Sequence, residues 1–305
     1  MKDTLVIDIG SNTIKCLLGH KDSDGKVCKL FEQTLDLRIS STSSEGLAGN
    51  AAEIISDSIE IFRKKAAEFC PDFKLVAVAT SALRESPERD AILERVRALC
   101  GAEIRVLSGD EEAKLSFAGA MTDPSVDSYE PTAYFDLGGG SLEIVFGKKG
   151  KAKSFTSLPI GAVNMTRKFV ASPKSAVSAS EIEKMLMFAR GKIGEVFAKK
   201  RPAFSTLVGA GGAVVAARSA KKILFPQGRE NVITLPQMRT ILMKVCAATA
   251  DGRAEKFGVS AGRCDIVPAA FACICALMER LGAMELVHTF CNLRYGVLLS
   301  KIAKK

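Results

Sequence analysis

At 305 residues the chain exceeds what one hydrophobic core usually covers, so two domains with a substrate cleft between them are the default expectation. With 47% hydrophobic and 25% charged residues and no low-complexity tract, the composition excludes a disordered or fibrous chain. A formal charge of +9 favours anionic partners, while the absence of Trp and the presence of only three Tyr argue against base stacking on nucleic acid.

A polyphosphate chain or a phosphorylated small molecule uses that charge without stacking. No apolar run is long enough to span a bilayer and no signal-peptide core follows Met1, so a cytoplasmic protein without membrane association is expected. The nine cysteines are scattered without C-x-x-C pairs or a disulfide framework, and most read as buried free thiols.

In chain order, residues 4–9 form a β-branched apolar run ending in Asp8-Ile9-Gly10. Segments 14–20 and 27–37 continue as strands around a turn at Asp22-Ser23-Asp24-Gly25, which signals a hairpin. Apolar residues at helical spacing (Ile54, Ile55, Ile59, Phe62, Ala66) predict a helix over 51–69. A strand at 74–79, a helix at 88–99, a strand at 103–107 and a helix at 109–121 then alternate as in an α/β domain.

Segment 122–131 is polar, holds two prolines and breaks both periodicities, so it reads as a linker. After it the opening pattern restarts, with AYFDLGGGSLEIVFG from Ala133 repeating the plan of VIDIGSNTIKCLLG: strand, Asp, apolar residue, Gly, small polar loop, second strand. Two homologous domains facing each other are expected. The remainder reads as helix-rich (180–199, 236–248, 266–282) with one strand at 206–208 running into Gly209-Ala210-Gly211-Gly212 and a following helix.

The chemistry follows from the loops. Glycine lets backbone N–H groups approach phosphate oxygens, so Gly10, Ser11, Asn12 and Thr13 in one copy and Gly138, Gly139, Gly140 and Ser141 in the other are candidate phosphate cradles. Gly209, Gly211 and Gly212 form a third loop, aided by the positive end of the next helix. Asp8 and Asp136, at the matched position of the repeat, suit a Mg²⁺ that also takes phosphate oxygens, although aspartate equally often caps a turn.

Glu111-Glu112 open a helix, where acidic residues also simply suit the dipole. Arg84 follows a buried strand and is either a phosphate clamp or a solvated cation. The basic clusters Lys148-Lys149-Lys151-Lys153, Lys199-Lys200-Arg201 and Arg218-Lys221-Lys222 either line an anion path or form solvated faces. His20 and His288 lie at strand-like ends and take no catalytic role.

These motifs, together with the Arg38 strand, SEGLAGN, VAVATSALRES, VLSGDEEAKLSFAGA, LPIGAVNMT, LVGAGGAVVAA, DIVPAAF and LRYGVLLS, resemble the exopolyphosphatase and guanosine pentaphosphate phosphohydrolase family. That family lies within the actin-like ATPase superfamily, and the pairing of SGDEEA with DLGGGSLE separates it from kinase relatives. The resemblance implies an α/β fold of two duplicated ribonuclease-H-like domains with an interdomain cleft, in the short two-domain form. The domains would span 1–126, completed by a helix over 292–305, and 127–291.

It also implies Mg²⁺-dependent release of orthophosphate from inorganic polyphosphate, or of the 5′-terminal phosphate of guanosine pentaphosphate. On that resemblance Glu112 is the base for the attacking water, Glu143 the second catalytic carboxylate, Arg84 the arginine near the phosphates, and Asp8, Asp136 and Glu143 the metal-linked carboxylates. A non-catalytic phosphate or nucleotide sensor is the rival from another class, and homodimer formation stays open.

Overall fold

The computed structural model describes residues 2–23, 25–37, 39, 47, 49–198, 202–300 and 302. Arg38, most of SEGLAGN and the Lys199-Lys200-Arg201 cluster lie outside the described residues. The chain forms two compact units, one of Met1–Thr122 with Cys291–Lys305 and one of Asp123–Phe290.

In the first unit, β1 (Asp3–Ile9), β2 (Ile14–Lys21), β3 (Val27–Leu35), β4 (Phe73–Ala79) and β5 (Ile104–Val106) form a sheet in the order β3-β2-β1-β4-β5. β1 runs antiparallel to β2 and parallel to β4, which is parallel to β5. β1 is apolar on both faces because it is central. Leu5, Ile7 and Ile9 face a core shared with α1 (Ala51–Phe69), whose Ile55, Ile59, Phe62 and Ala66 recur at helical spacing.

Val6, Val76 and Val78 face the other way. Each fully buried side chain of this kind contributes about 1.5–3 kcal/mol. α2 (Ser81–Arg84), α3 (Arg89–Cys100) and α4 (Gly109–Ala120) follow in the same unit, α3 ending on Gly101 in the left-handed conformation.

The second unit holds β6 (Thr132–Leu137), β7 (Leu142–Lys148), β8 (Lys151–Leu158), α5 (Ala162–Phe169), α6 (Ala179–Phe197), β9 (Thr206–Ala210), α7 (Gly212–Leu224), β10 (Val232–Thr234), α8 (Leu235–Cys246), α9 (Ala250–Phe257), a 3₁₀ turn (Ala261–Arg263), α10 (Val267–Leu281) and β11 (Glu285–His288). Its sheet order is β10-β11-β9-β6-β7-β8. Read from the other edge, β8-β7-β6-β9-β11 repeats the first unit's order with β10 added. The repeat seen in the sequence is therefore a repeat of topology. α10 is buried on nearly every side, which explains its unbroken apolar run. α11 (Leu293–Leu299) returns to the first unit, where Leu293, Tyr295, Val297 and Leu298 cover the Val6 face of β1.

Three expectations need correction. The helix-rich remainder holds three strands among its described residues, because β10 and β11 are too short for a period-two pattern and β11 follows directly on an apolar helix. α2, α5 and α9 have too little helical period to be seen in the sequence, each being eight residues or fewer. The segment read as a linker does begin where the two units divide, but from Asp123 it is packed into the second: Asp123 accepts from Ser125 N–H at 2.8 Å and from Thr289 Oγ1 at 2.6 Å, and Val126 is buried.

Cys16, Cys246, Cys264, Cys273 and Cys275 are buried free thiols, and Cys28 is exposed. Burial pushes the thiols of Cys16, Cys246 and Cys273 up to about 12.

Candidate active site

In each unit the candidate residues gather where the parallel strands end, the edge on which α/β sheets bind ligands. In the first unit these ends are tied side by side: Thr80 N–H donates to the Ile9 carbonyl and Leu107 N–H to the Ala79 carbonyl. Asp8, the penultimate residue of β1, is only 8% exposed. The next turn closes with Gly10 N–H on the Thr13 carbonyl at 3.1 Å. The N–H groups of Ser11, Asn12 and Thr13 find no backbone acceptor among the described residues, and Asn12 Oδ1 is buried without a hydrogen-bond partner.

Two neighbouring loops bring Arg84 and Glu112 to the same edge. Arg84 Nη1 donates to Glu112 Oε2 at 2.8 Å and to the Leu107 carbonyl at 3.0 Å, with both side chains a quarter exposed or less. Glu111 has a different task. Its carboxylate caps Ser108 N–H, which with Arg105 holds it below the usual carboxylate range, while Ser108 Oγ accepts from Glu111 N–H. This capping box starts α4 and directs Glu112, one residue later, toward Arg84.

The second unit repeats the turn: Gly138 N–H donates to the Ser141 carbonyl at 3.0 Å. Here the reason for the glycines is explicit. The Gly138 carbonyl accepts from Ala162 N–H, that of Gly139 from Val163 and Asn164 N–H, and that of Gly140 from Gly161 N–H and Asn164 Nδ2. Every carbonyl of the three glycines is thus held at the start of α5, whose first turn needs acceptors. A trans peptide points its N–H opposite to its carbonyl, so the N–H groups of Gly139, Gly140 and Ser141 turn away from α5. None of the three meets a backbone acceptor among the described residues, which makes an anion cradle.

Asp136 and Glu143 face each other across β6 and β7 at the base of this loop. Glu143 is 8% exposed and accepts from Ser157 Oγ at 3.0 Å. The matching pair in the first unit is Asp8 and Lys15, so the duplicated sites differ in charge: carboxylate with cation in one, two carboxylates in the other. Gly211, at φ +86°, leads into α7, and a Cβ there would collide with Asp136 Oδ1. The second and third loops therefore meet at Asp136. Gly212 begins α7. Gly209 instead lies inside β9, packed against Phe135 and Leu286, with its carbonyl accepting from Thr289 N–H.

Among the described residues no group of three or more His, Cys, Asp or Glu is placed to hold a metal. Mg²⁺ commonly takes one or two carboxylates and completes its shell with substrate phosphate and water, and the oxygen donors of Asp136 and Glu143 fit that requirement. The histidines stand apart. His20 Nδ1 pairs with Asp3 at 2.8 Å, and His288 Nδ1 contacts Arg218 Nη1 at 3.0 Å.

The model of the Ppx/GppA phosphatase family matches residues 5–305. The chain belongs to the Ppx/GppA phosphatase family. It is 28% identical to exopolyphosphatase 1 of Mycobacterium tuberculosis over 312 residues, covering 97% of this chain and 87% of that one. It is 24% identical to the guanosine-5'-triphosphate,3'-diphosphate pyrophosphatase of Aeromonas hydrophila over 294 residues, covering 96% of this chain and 58% of that one. The crystal structure of the Aquifex aeolicus Ppx/GppA member matches with a TM-score of 0.81 at 24% identity, covering 99% of this chain and 98% of that one. The fold is the mixed α/β, two-sheet architecture of that family member.

Within this Ppx/GppA member, residues the sequence reading singled out are joined by others it did not. Gly161 has no room for a Cβ, which would strike the Gly139 carbonyl and Ser141 nitrogen, and Asn164 pins Gly140. The Arg263 guanidinium occupies the space beside Gly212 and brings a cation to the start of α7. LPIGAVNMT carried Gly161 and Asn164 in plain view, but no spacing rule says that a helix start will seat under a loop twenty residues earlier. Arg263 arrives from a separate turn and has no motif.

Proposed function

We propose that the chain is a Mg²⁺-dependent exopolyphosphatase that hydrolyses the terminal phosphoanhydride of inorganic polyphosphate and releases orthophosphate. The observation that carries this reading is the Glu112 carboxylate held by Arg84 at the ligand-binding edge of its sheet, in a chain of a phosphatase family. A phosphatase needs a group to take a proton from water, and Glu112 is built for that task rather than for capping its helix, which Glu111 does.

In this reading the cradle of Gly139, Gly140 and Ser141 N–H groups holds phosphate oxygens and stabilises the charge that builds on them. Glu112 accepts the proton of the attacking water as its oxygen bonds to the terminal phosphorus. The bridging P–O bond breaks and the shortened chain leaves with the electron pair. Arg84 keeps the carboxylate aimed. A Mg²⁺ held by Asp136 and Glu143, with Asp8 as the matching carboxylate of the other unit, would neutralise phosphate charge and lock the substrate's orientation.

Composition favours polyphosphate over guanosine pentaphosphate: the chain has no Trp and three Tyr with which to stack a base. The test is steady-state orthophosphate release from polyphosphate, guanosine pentaphosphate and ATP by one preparation with and without Mg²⁺. Faster release from polyphosphate, abolished by chelation, is expected. Release from guanosine pentaphosphate alone would replace the substrate assignment.

A further inference from the structure

The hairpin between β7 and β8 carries four lysines, Lys148, Lys149, Lys151 and Lys153, that the candidate site does not use. Its construction is unfavourable to folding in two ways. Lys149 has φ 56° and Gly150 φ 68°, a two-residue turn with both central residues left-handed. Asn, Asp or Gly usually takes the first of these positions, and a lysine there is strained. Lys148 and Lys151 lie directly opposite each other across the ladder, where like charges repel.

None of the four ammonium groups has an ion pair or hydrogen bond among the described residues. The acidic residues of the adjoining segment are spent elsewhere: Asp127 accepts from Tyr129 N–H and Glu130 from Ser205 Oγ. The turn is nonetheless held in place, because Gly150 N–H donates to the Ser128 carbonyl at 3.2 Å. Strain and uncompensated charge kept at a fixed place point to a ligand rather than to stability.

The position identifies that ligand. The phosphate loop precedes β7 and the lysines follow it, so the two lie at opposite ends of the strand. At about 3.3 Å per residue, Lys148 is roughly 17 Å along the strand from Glu143. A nucleotide or a short polyphosphate cannot occupy both ends, whereas a long polyanion can. We infer that the Lys148–Lys153 hairpin is a remote binding site for the distal part of a long polyphosphate chain. It rests on the exopolyphosphatase reading and adds chain-length preference to it. The second contact raises the local concentration of the chain end without touching the reacting phosphate.

The test compares the wild type with the quadruple variant Lys148→Gln, Lys149→Asn, Lys151→Gln, Lys153→Gln, which removes the charge while leaving a turn-compatible residue at 149. The expected result is a KM for long-chain polyphosphate raised roughly tenfold or more at low salt. Wild-type kinetics on tripolyphosphate should persist, and the melting temperature should be equal or higher because the repulsion and strain are relieved. An unchanged KM on long chains, or an equal loss on tripolyphosphate, overturns the inference.

Retention of long-chain polyphosphate on a filter without metal is measured in parallel. If the wild type hydrolyses neither substrate, the activity reading fails, and the hairpin is judged by retention alone: weaker retention by the variant upholds it and equal retention overturns it. Loss of single-stranded RNA retention with polyphosphate retention intact also overturns it, assigning the lysines to nucleic acid.

Discussion

Arg84 and Glu112 are joined at 2.8 Å, and the same Arg84 nitrogen also donates to the Leu107 carbonyl at 3.0 Å. The strand end before α4 and the proposed base are therefore held by one guanidinium. Arg84→Ala removes the donor from both acceptors at a part-buried site, which should cost about 1–3 kcal/mol in chemical denaturation. It should lower kcat by roughly 10²-fold. Because Arg84 is proposed to act on the reaction through Glu112, adding Arg84→Ala to Glu112→Gln should lower kcat little further. Full additivity of the two losses would mean that Arg84 contacts phosphate independently.

Gly161 sits where the loop and α5 meet, with no space for a methyl group. Gly161→Ala must push the Gly139–Ser141 backbone away from the helix start. Overpacking of this kind should cost about 1–3 kcal/mol. It should also weaken phosphate affinity, since the N–H groups are turned outward only while their carbonyls are pinned. A raised KM with a lowered melting temperature is the expected pair of results. An unchanged KM would show that the cradle does not depend on α5.

His288 gives the second unit an acid sensitivity. Burial, then the neighbouring Arg218, lowers its pKa from 6.5 to about 4. The folded state thus binds its proton less readily than the unfolded state. Its stability is fully present above about pH 6.5 and is lost as pH falls toward 4, by up to about 3 kcal/mol. His288→Gln keeps an acceptor for Arg218 without the titration, so its unfolding free energy should fall less over that range. Parallel curves for the two proteins would contradict the assignment.

Much of this architecture was legible because it is local. Asp8-Ile9-Gly10 and Asp136-Leu137-Gly138 each contain the strand end, the turn and the carboxylate within a few residues, and the duplication made them visible twice. The central strands announced themselves as apolar runs and α1 by its helical period. What stayed hidden depends on partners distant in sequence. Gly209 reads like its neighbours Gly211 and Gly212, and only the strand pairing shows that it packs under Phe135. Glu111 and Glu112 are adjacent and chemically alike; the resemblance picks Glu112, but the physical difference, the Ser108 cap on one and Arg84 on the other, shows only in the structure. β10 and β11 exist because neighbouring strands offer them a ladder, not because their own residues demand one.

The central claim is that Glu112 serves as the base for water attack on a phosphoanhydride. Its most direct test is orthophosphate release from long-chain polyphosphate in saturating Mg²⁺ by the wild type and by Glu112→Gln, with melting temperatures measured on the same samples. The account predicts a loss of roughly 10²–10⁴-fold in kcat with the melting temperature kept. Near-wild-type release by a folded Glu112→Gln protein would contradict it.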